Sequence, residues 1–323
     1  MAASASRRRC APIWAAPRSS VPDPFACPLQ TIRITSYRNT GNECRRPLGG
    51  TSHEGQERVS KPDFPDPEGV RHVRILISND DGINAPGIAI LEQIARELSD
   101  DVWVVAPETD QSGVSHSLTI HNPLRVRKIA DKRYGVSGTP TDCVLIATRR
   151  LMHETAPDLV LSGVNRGANL GEDVHYSGTI AAAKEATLLG LQAIAMSQVF
   201  VDPQDVPWRT ARAHGPALVE KLIATKWPKG VLVNVNYPPV EPEAVTGVKV
   251  VSQGQRVLGE MIVEGRDPRG VPYYWIGGLR RDGHETEGTD LSVIRKGAIS
   301  VTPLHIDLTA RDYMGALEDV LGA

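Results

Sequence analysis

From Val73 onward, short unbroken apolar runs alternate with stretches whose apolar residues recur at helical spacing. The first run, Ile75-Leu76-Ile77, predicts a buried strand that ends in Ser78-Asn79-Asp80-Asp81-Gly82. Ile88, Leu91, Ile94, Ala95 and Leu98 then mark one helix face, with Pro86 near its first turn. Asp101 to Ala106 predicts a second buried strand, and Leu124–Ile129 with Arg133–Val136 a short antiparallel excursion. Thr139 as N-cap and Pro140 at the first helical position start another helix. Asp158 to Ser162 reads as the third strand of the sheet, followed by a loop to Thr179 and an Ala-rich helix from Ile180 to Leu189, closed by Gly190. Leu191–Ser197 is a strand, residues 208 to 225 an amphipathic helix, and Gly230–Asn236 a further strand. Strands alternating with helices over 73–245 predict a doubly wound, mostly parallel α/β sheet of Rossmann-like type.

The pattern changes after about residue 246. Val248–Val251, Tyr273–Ile276 and Ala298–Val301 are strand-like, separated by Gly- and Asp-rich loops with no helical stretch between them. Residues 246–323 therefore read as a smaller β-rich hairpin lobe, closed by a helix from Asp312 to Leu321. Residues 1–72 differ from everything after them, being rich in Arg, Ser and Pro and poor in periodic apolar positions. They are expected to form a disordered extension, and Arg7-Arg8-Arg9 with few early acids faintly resembles an organelle transit peptide.

Composition narrows the function classes. A net charge of −2 over 323 residues argues against stable nucleic-acid binding. Aromatic residues make up 5% of the chain, too few for a base-stacking platform along single strands. No apolar run approaches bilayer length. Cys10, Cys27 and Cys44 cluster near the start and Cys143 stands alone among Val144, Leu145 and Ile146, so neither a disulfide framework nor a CxxC metal site is present, and a reducing cytoplasm fits.

Candidate chemistry sits in loops after three strands, and parallel strands bring such loops to one sheet edge. The first carries Asp80 and Asp81, the second Ser112 and Gly113, the third Asn165 and Asn169. Two carboxylates, a hydroxyl and an amide oxygen form an all-oxygen set suited to one hard divalent ion, Mg²⁺ or Mn²⁺, rather than zinc. Glycines 163, 167 and 171 allow close backbone approach, and Ser177-Gly178-Thr179 stands at a helix N-terminus, so a phosphate is the expected guest. The plainer alternative makes the aspartates caps of the following helix. There is no GxGxxG, no P-loop lysine and no GxSxG, and NDDG differs from the DxD of phospho-aspartate phosphatases. His116 borders the Ser112 loop as an acid/base candidate, equally readable as a structural histidine without a visible partner.

Ser78–Gly82 with Ala85–Ile88, Val105–Pro107 with Ser112-Gly113, Gly138–Cys143, Ser162–Gly171 and Tyr176–Thr179 together resemble the survival protein E family. Asn234–Asn236, Asp267–Gly270, Tyr274–Gly277, Gly288–Asp290 and Ser300–Leu304 extend the likeness over about residues 73 to 310. The resemblance implies a metal-dependent phosphatase of nucleoside 5′- and 3′-monophosphates, with metal ligands at Asp80, Asp81, Ser112 and Asn165. Asp80, Asp81 and Asn165 become its catalytic positions, and Gly113, Asn169, Ser177, Gly178 and Thr179 those that hold the phosphate. It also implies a homodimer or tetramer that exchanges C-terminal elements, the hairpin from Asp267 to Gly277 among them. Without the resemblance, the residues also permit a hydrolase of other small phosphate esters or polyphosphate, or a non-catalytic nucleotide-binding regulator.

Overall fold

The computed structural model describes residues 73–322 apart from 226, 258–261, 277–280 and 283–285. The reading of residues 1–72 as a disordered extension lies outside the described residues. In chain order the elements are β1 (Ile75–Ser78), α1 (Pro86–Leu98), β2 (Val102–Pro107), β3 (Val126–Ala130), β4 (Arg133–Val136), α2 (Pro140–Ile146) and β5 (Leu159–Arg166). There follow α3 (Asp173–Tyr176), α4 (Gly178–Leu188), β6 (Gln192–Gln198), α5 (Trp208–Ile223), β7 (Val231–Tyr237) and β8 (Val248–Val250). The remainder is β9 (Arg256–Val257), β10 (Ile262–Arg266), β11 (Pro272–Ile276), β12 (Arg281–Asp282), α6 (Asp290–Arg295), β13 (Ile299–His305) and α7 (Arg311–Leu321).

Nine strands form one sheet in the order β3-β4-β2-β1-β5-β6-β7-β13-β8. From β4 to β7 every pairing is parallel, while β3 and β13 run antiparallel to their neighbours β4 and β7. The unbroken apolar runs are explained by burial of both sheet faces. Successive side chains on a strand point to opposite faces. Ile75 and Ile77 accordingly join one core with Ile88, Leu91 and Ile94 of α1 and Val219 of α5, whereas Leu76 joins the other with Val144 of α2 and Ile180 and Ala183 of α4. The same alternation divides Leu159 and Leu161 from Val160, and Ile194 and Met196 from Ala193 and Ala195. Helices on both faces of a mostly parallel sheet are the doubly wound arrangement expected.

The start of α2 follows its local code. Thr139 accepts from the Asp142 N–H while Asp142 accepts from the Thr139 N–H, closing a capping box ahead of Pro140.

Three local readings need correction. Residues 163–166 are strand rather than loop, because β5 continues to Arg166 with a register shift against β6 between Ser162 and Asn165. Val248–Val250 and Ile299–His305 belong to the large sheet, not to separate hairpins, since Ile299 and Val301 bury against the first core beside Val235. A helix, α6, does stand between Ile276 and Ala298; Thr289 caps it, and at six residues it is too short for a periodic signal. The hairpin β10–β11 forms a small antiparallel sheet as expected. Among the described residues no helix is long and apolar enough to cross a membrane.

Candidate active site

Strand β1 stops at Ser78, so Asp80 and Asp81 lie in the loop beyond it and escape the rule that adjacent strand residues face apart. Gly82, at φ +103°, turns the chain, and the Asn79 side-chain amide donates to its carbonyl at 2.9 Å. The aspartates do not cap the next helix: α1 starts after Ala85 with no side-chain cap, and Pro86 needs no partner for a backbone N–H. The loop is instead fastened to its neighbours. Gln111 N–H donates to the Asp80 carbonyl at 2.8 Å and Ile83 N–H to the Pro107 carbonyl at 2.8 Å, which joins it to the segment after β2. Arg166 N–H donates to Asp81 Oδ2 at 3.1 Å, which joins it to the end of β5.

The N-terminus of α4 completes the enclosure. Thr179 Oγ1 donates to Asp80 Oδ1 at 2.5 Å, and Gly178 packs so closely that a Cβ there would stand 2.7 Å from the Asp80 Cβ. Only glycine allows that approach. Ser177 is the N-cap, accepting from the Ile180 N–H at 3.0 Å. The first backbone N–H groups of a helix lack partners within it, so this end presents donors and a positive dipole to an anion.

Burial sets the electrostatics. Asp80 is 4% exposed, and loss of water pushes its carboxyl up to about 6; the Thr179 hydrogen bond opposes that rise and the Asp81 charge adds to it. Half-buried Asp81 is also raised, first by burial and then by Asp110, against the stabilising Arg166 N–H and the Arg166 guanidinium charge, which acts without an ion-pair contact. Among the described residues neither aspartate has an ion-pair partner. Two adjacent carboxylates in a poorly hydrated loop, with no ammonium or guanidinium paired to them, fit a bound divalent cation. The buried Asn79 Oδ1, which accepts no hydrogen bond, adds an unsatisfied oxygen beside them. Among the described residues no group of three or more His, Cys, Asp or Glu converges, so further ligands would have to be neutral oxygens.

Asn165 and Ser112 are the neutral candidates. Asn165 donates its amide to the Gly167 carbonyl at 3.1 Å, which leaves Oδ1 as acceptor. Ser112 is exposed, and both its N–H and its hydroxyl donate to Asp110 Oδ1, at 2.7 and 2.6 Å. Gly113 beside it is exposed with open space around it. Direct contacts thus unite Asp80, Asp81, Gly178, Thr179 and the backbone after Asn165, while Ser112 joins through Asp110. Asn169 is placed differently. It is buried in an amide network, its Nδ2 donating to Ser197 Oγ at 2.8 Å and its carbonyl accepting from Asn234 Nδ2 at 2.8 Å, and it anchors the loop after β5.

Asp110 and Ser197 escaped the sequence reading, and Arg166, Asn234 and Asn236 entered it only within the motifs of the resemblance, with no role assigned, although Asn234-Val-Asn236 is a polar alternation in a buried strand that flags buried amides. His116 is not without a partner: its Nε2 lies 2.9 Å from Glu185 Oε2 on α4, where it ties the loop after β2 to that helix.

Comparison with known proteins agrees with this arrangement. The family described as survival protein SurE matches residues 75–260. A protein of Paramagnetospirillum magneticum named 5′-nucleotidase SurE is 56% identical over 255 residues, covering 79% of this chain and 98% of its own. One of the same name from Rhodospirillum rubrum is 55% identical over 247 residues, 76% of this chain and 94% of that one. The crystal structure of the SurE protein from Aquifex aeolicus superposes with a TM-score of 0.68 at 40% identity, covering 76% of this chain and 99% of its own. With two paired carboxylates at the carboxyl edge of a doubly wound sheet and relatives matched along nearly their whole length, this chain belongs to the survival protein SurE family.

Proposed function

We infer that this protein is a phosphoric monoester hydrolase that releases phosphate from nucleoside 5′-monophosphates, and from 3′-monophosphates, with one divalent ion, Mg²⁺ or Mn²⁺. The observation that carries the reading is the pair Asp80 and Asp81, desolvated without an ion-pair partner and set directly against the N-terminus of α4, in a member of this family. Relatives named 5′-nucleotidase support the substrate class.

Asp80, Asp81, Asn165 and Ser112 would hold the ion, which supplies positive charge against the charge developing on the phosphoryl oxygens. The chain's own groups do the positioning. Thr179 holds the Asp80 carboxylate in one orientation, and the Arg166 N–H does the same for Asp81. Donors at the start of α4, the Gly178 N–H among them, would bind phosphate oxygens, the Thr179 N–H being already turned to Asp80, with Gly113 leaving room on the loop after β2. Because these donors are fixed by the fold before substrate arrives, they need little reorganisation as charge develops.

The same reading includes assembly. Helix α7 buries none of its residues and exposes Tyr313, Met314, Leu317 and Val320, and β10–β11 exposes Tyr273, Tyr274, Trp275 and Ile276. Exchange of these C-terminal elements between copies, as a homodimer or tetramer, would cover both. Cys143, buried and unpaired, accords with a reducing cytoplasm.

The test is phosphate release from a panel of 5′- and 3′-nucleotides with Mg²⁺, Mn²⁺ or chelator, wild type beside Asp81→Asn. Chelator-sensitive release that the substitution abolishes is the expected result. Release without base preference from any small phosphate would move the assignment to a general phosphatase, and tight nucleotide binding without release to a regulator.

A further inference from the structure

Between α4 and the sheet edge at β13 and β8 lies a cavity of about 570 Å³ that the phosphate chemistry does not use. The alternation along β13 explains its floor. Ile299 and Val301 point into the first core, so Thr302 and Leu304 face the other way, and Leu304 packs with Ile180 and Ala183 of α4 against the second core. Val174 of α3, Val250 of β8 and Leu308 add apolar walls, and Val250 and Leu308 are themselves exposed, so the cavity opens to solvent. Its volume and mostly apolar walls fall in the range of small-ligand sites.

The polar lining consists of His175, Lys184, Ser252, Gln253, Thr302 and His305, with no aspartate or glutamate among the described lining residues. Lys184 supplies the one permanent charge. It is half-buried on α4, makes no hydrogen bond or ion pair among the described residues, and loss of water lowers its ammonium from the ordinary lysine range. Thr302 is 2% exposed, and its Oγ1 has no hydrogen-bond partner. Its neighbour across β7, Asn234, is already engaged with the Asn169 carbonyl and leaves it unserved. A buried hydroxyl without a partner is rare in folded proteins because it is costly.

Two of the remaining groups are engaged. Gln253 Nε2 donates to the Gly171 carbonyl at 2.9 Å, and Ser252 Oγ to the Gly288 carbonyl at 3.4 Å. His305 Nδ1 accepts from the Asp307 N–H at 2.8 Å, which leaves the proton of the neutral ring on Nε2 as a donor. The groups left over are therefore donors, and one of them is a cation. Lys184 follows Thr179 by about 7–8 Å along α4 and on another face of the helix, so this set is separate from the helix end that meets Asp80.

We propose that this cavity binds a small organic anion, its carboxylate or phosphate group held by Lys184 and Thr302 and its apolar body lying against Val174, Val250 and Leu304. Lys184 then regains a counter-charge and Thr302 a partner. A single cation suits one anionic head, and the apolar walls suit a short hydrocarbon or ring behind it. The site does not depend on the nucleotidase reading.

The test is calorimetric titration of the full-length, Mn²⁺-loaded protein with hexanoate, with hexylphosphonate and with hexan-1-ol as the neutral control. Wild type should bind at least one of the two anions at one site per chain with a Kd of about 1 mM or below, and the tighter of the two names the head group. Lys184→Met should weaken that binding by about tenfold or more and Thr302→Val by about threefold, because each removes one donor to the anion. Asp81→Asn should leave it unchanged; if that substitution abolishes binding, the anion sits at the paired aspartates and the proposal is overturned. Hexan-1-ol binding as tightly as the anions, or equal anion binding by Lys184→Met, overturns it too. If Lys184→Met does not fold, Lys184→Gln removes the same charge and should show the same loss. No binding to wild type, whether the cavity stays empty or a second copy of the chain covers it, also overturns the proposal.

Discussion

Asp80 is an ionisable carboxyl that is 4% exposed, whereas Trp275, a large apolar side chain, is 68% exposed. The edge between β1 and β5 and the C-terminal elements β10–β11 and α7 thus depart from ordinary burial in opposite directions. At the sheet edge the cost of burying charge is offset by donors from the same chain, Thr179 and the Arg166 N–H, and a divalent cation held there would offset it further. In the C-terminal elements no described segment of the chain covers Tyr274, Trp275 or Leu317. One region buries charged groups within the chain's own contacts; the other leaves apolar surface that, under the proposed assembly, another copy would cover.

Asp81→Asn tests the first region most severely. Phosphate release should fall by about a hundredfold or more with the circular dichroism spectrum unchanged, and a variant near wild-type rate would remove Asp81 from the chemistry. Next in size is a dependence on pH in chelator. The folded-state value of Asp80, about 6, lies above its ordinary 3.8, so between these values the native state holds a proton that the unfolded state has lost. The contribution of Asp80 to stability should therefore be greatest below about pH 4 and fall by on the order of 2–3 kcal/mol as pH rises to above about 6. Asp80→Asn should flatten that slope in denaturant titrations, and added Mn²⁺ should raise Tm more near neutral pH than near pH 5.

The C-terminal elements are tested by Trp275→Glu with Leu317→Glu. Sedimentation should report a smaller assembly, while release per chain stays within the same order of magnitude, because the contacts that fix Asp80 and Asp81 all come from residues 107–179 of one chain. A collapse of activity on dissociation would show that the two regions are not independent. The smallest effect belongs to His116→Ala: a few-fold loss of rate with an unchanged pH profile, as expected if the pairing with Glu185 steadies the loop rather than moves a proton.

How much was legible follows from the range of the interactions. The strands β1, β2, β6 and β7 and the helices α1 and α5 were readable because periodicity is local, and the Thr139 cap because its partners are Pro140 and Asp142. Helix α6 was not, since six residues complete too few turns to repeat a pattern. Nor were the partners of β8 and β13, since an apolar alternation shows that a strand has a buried face and not which strand it joins. In the site, the paired aspartates stood out by position and type. Asp110 did not, because nothing in its neighbourhood in sequence marks it as bearing on Asp81.

The sequence by itself determined that a sheet with helices on both faces forms and that carboxylates lie beyond its first strand, because hydrophobic period and turn chemistry act between near neighbours. The tertiary structure decided what those carboxylates are. Arg166 lies 85 residues from Asp81 and Thr179 lies 99 from Asp80, and their approach, with the loss of water that accompanies it, turns two ordinary aspartates into a poised pair. Desolvation depends on everything packed around a group at once, so it exists only once the chain has folded.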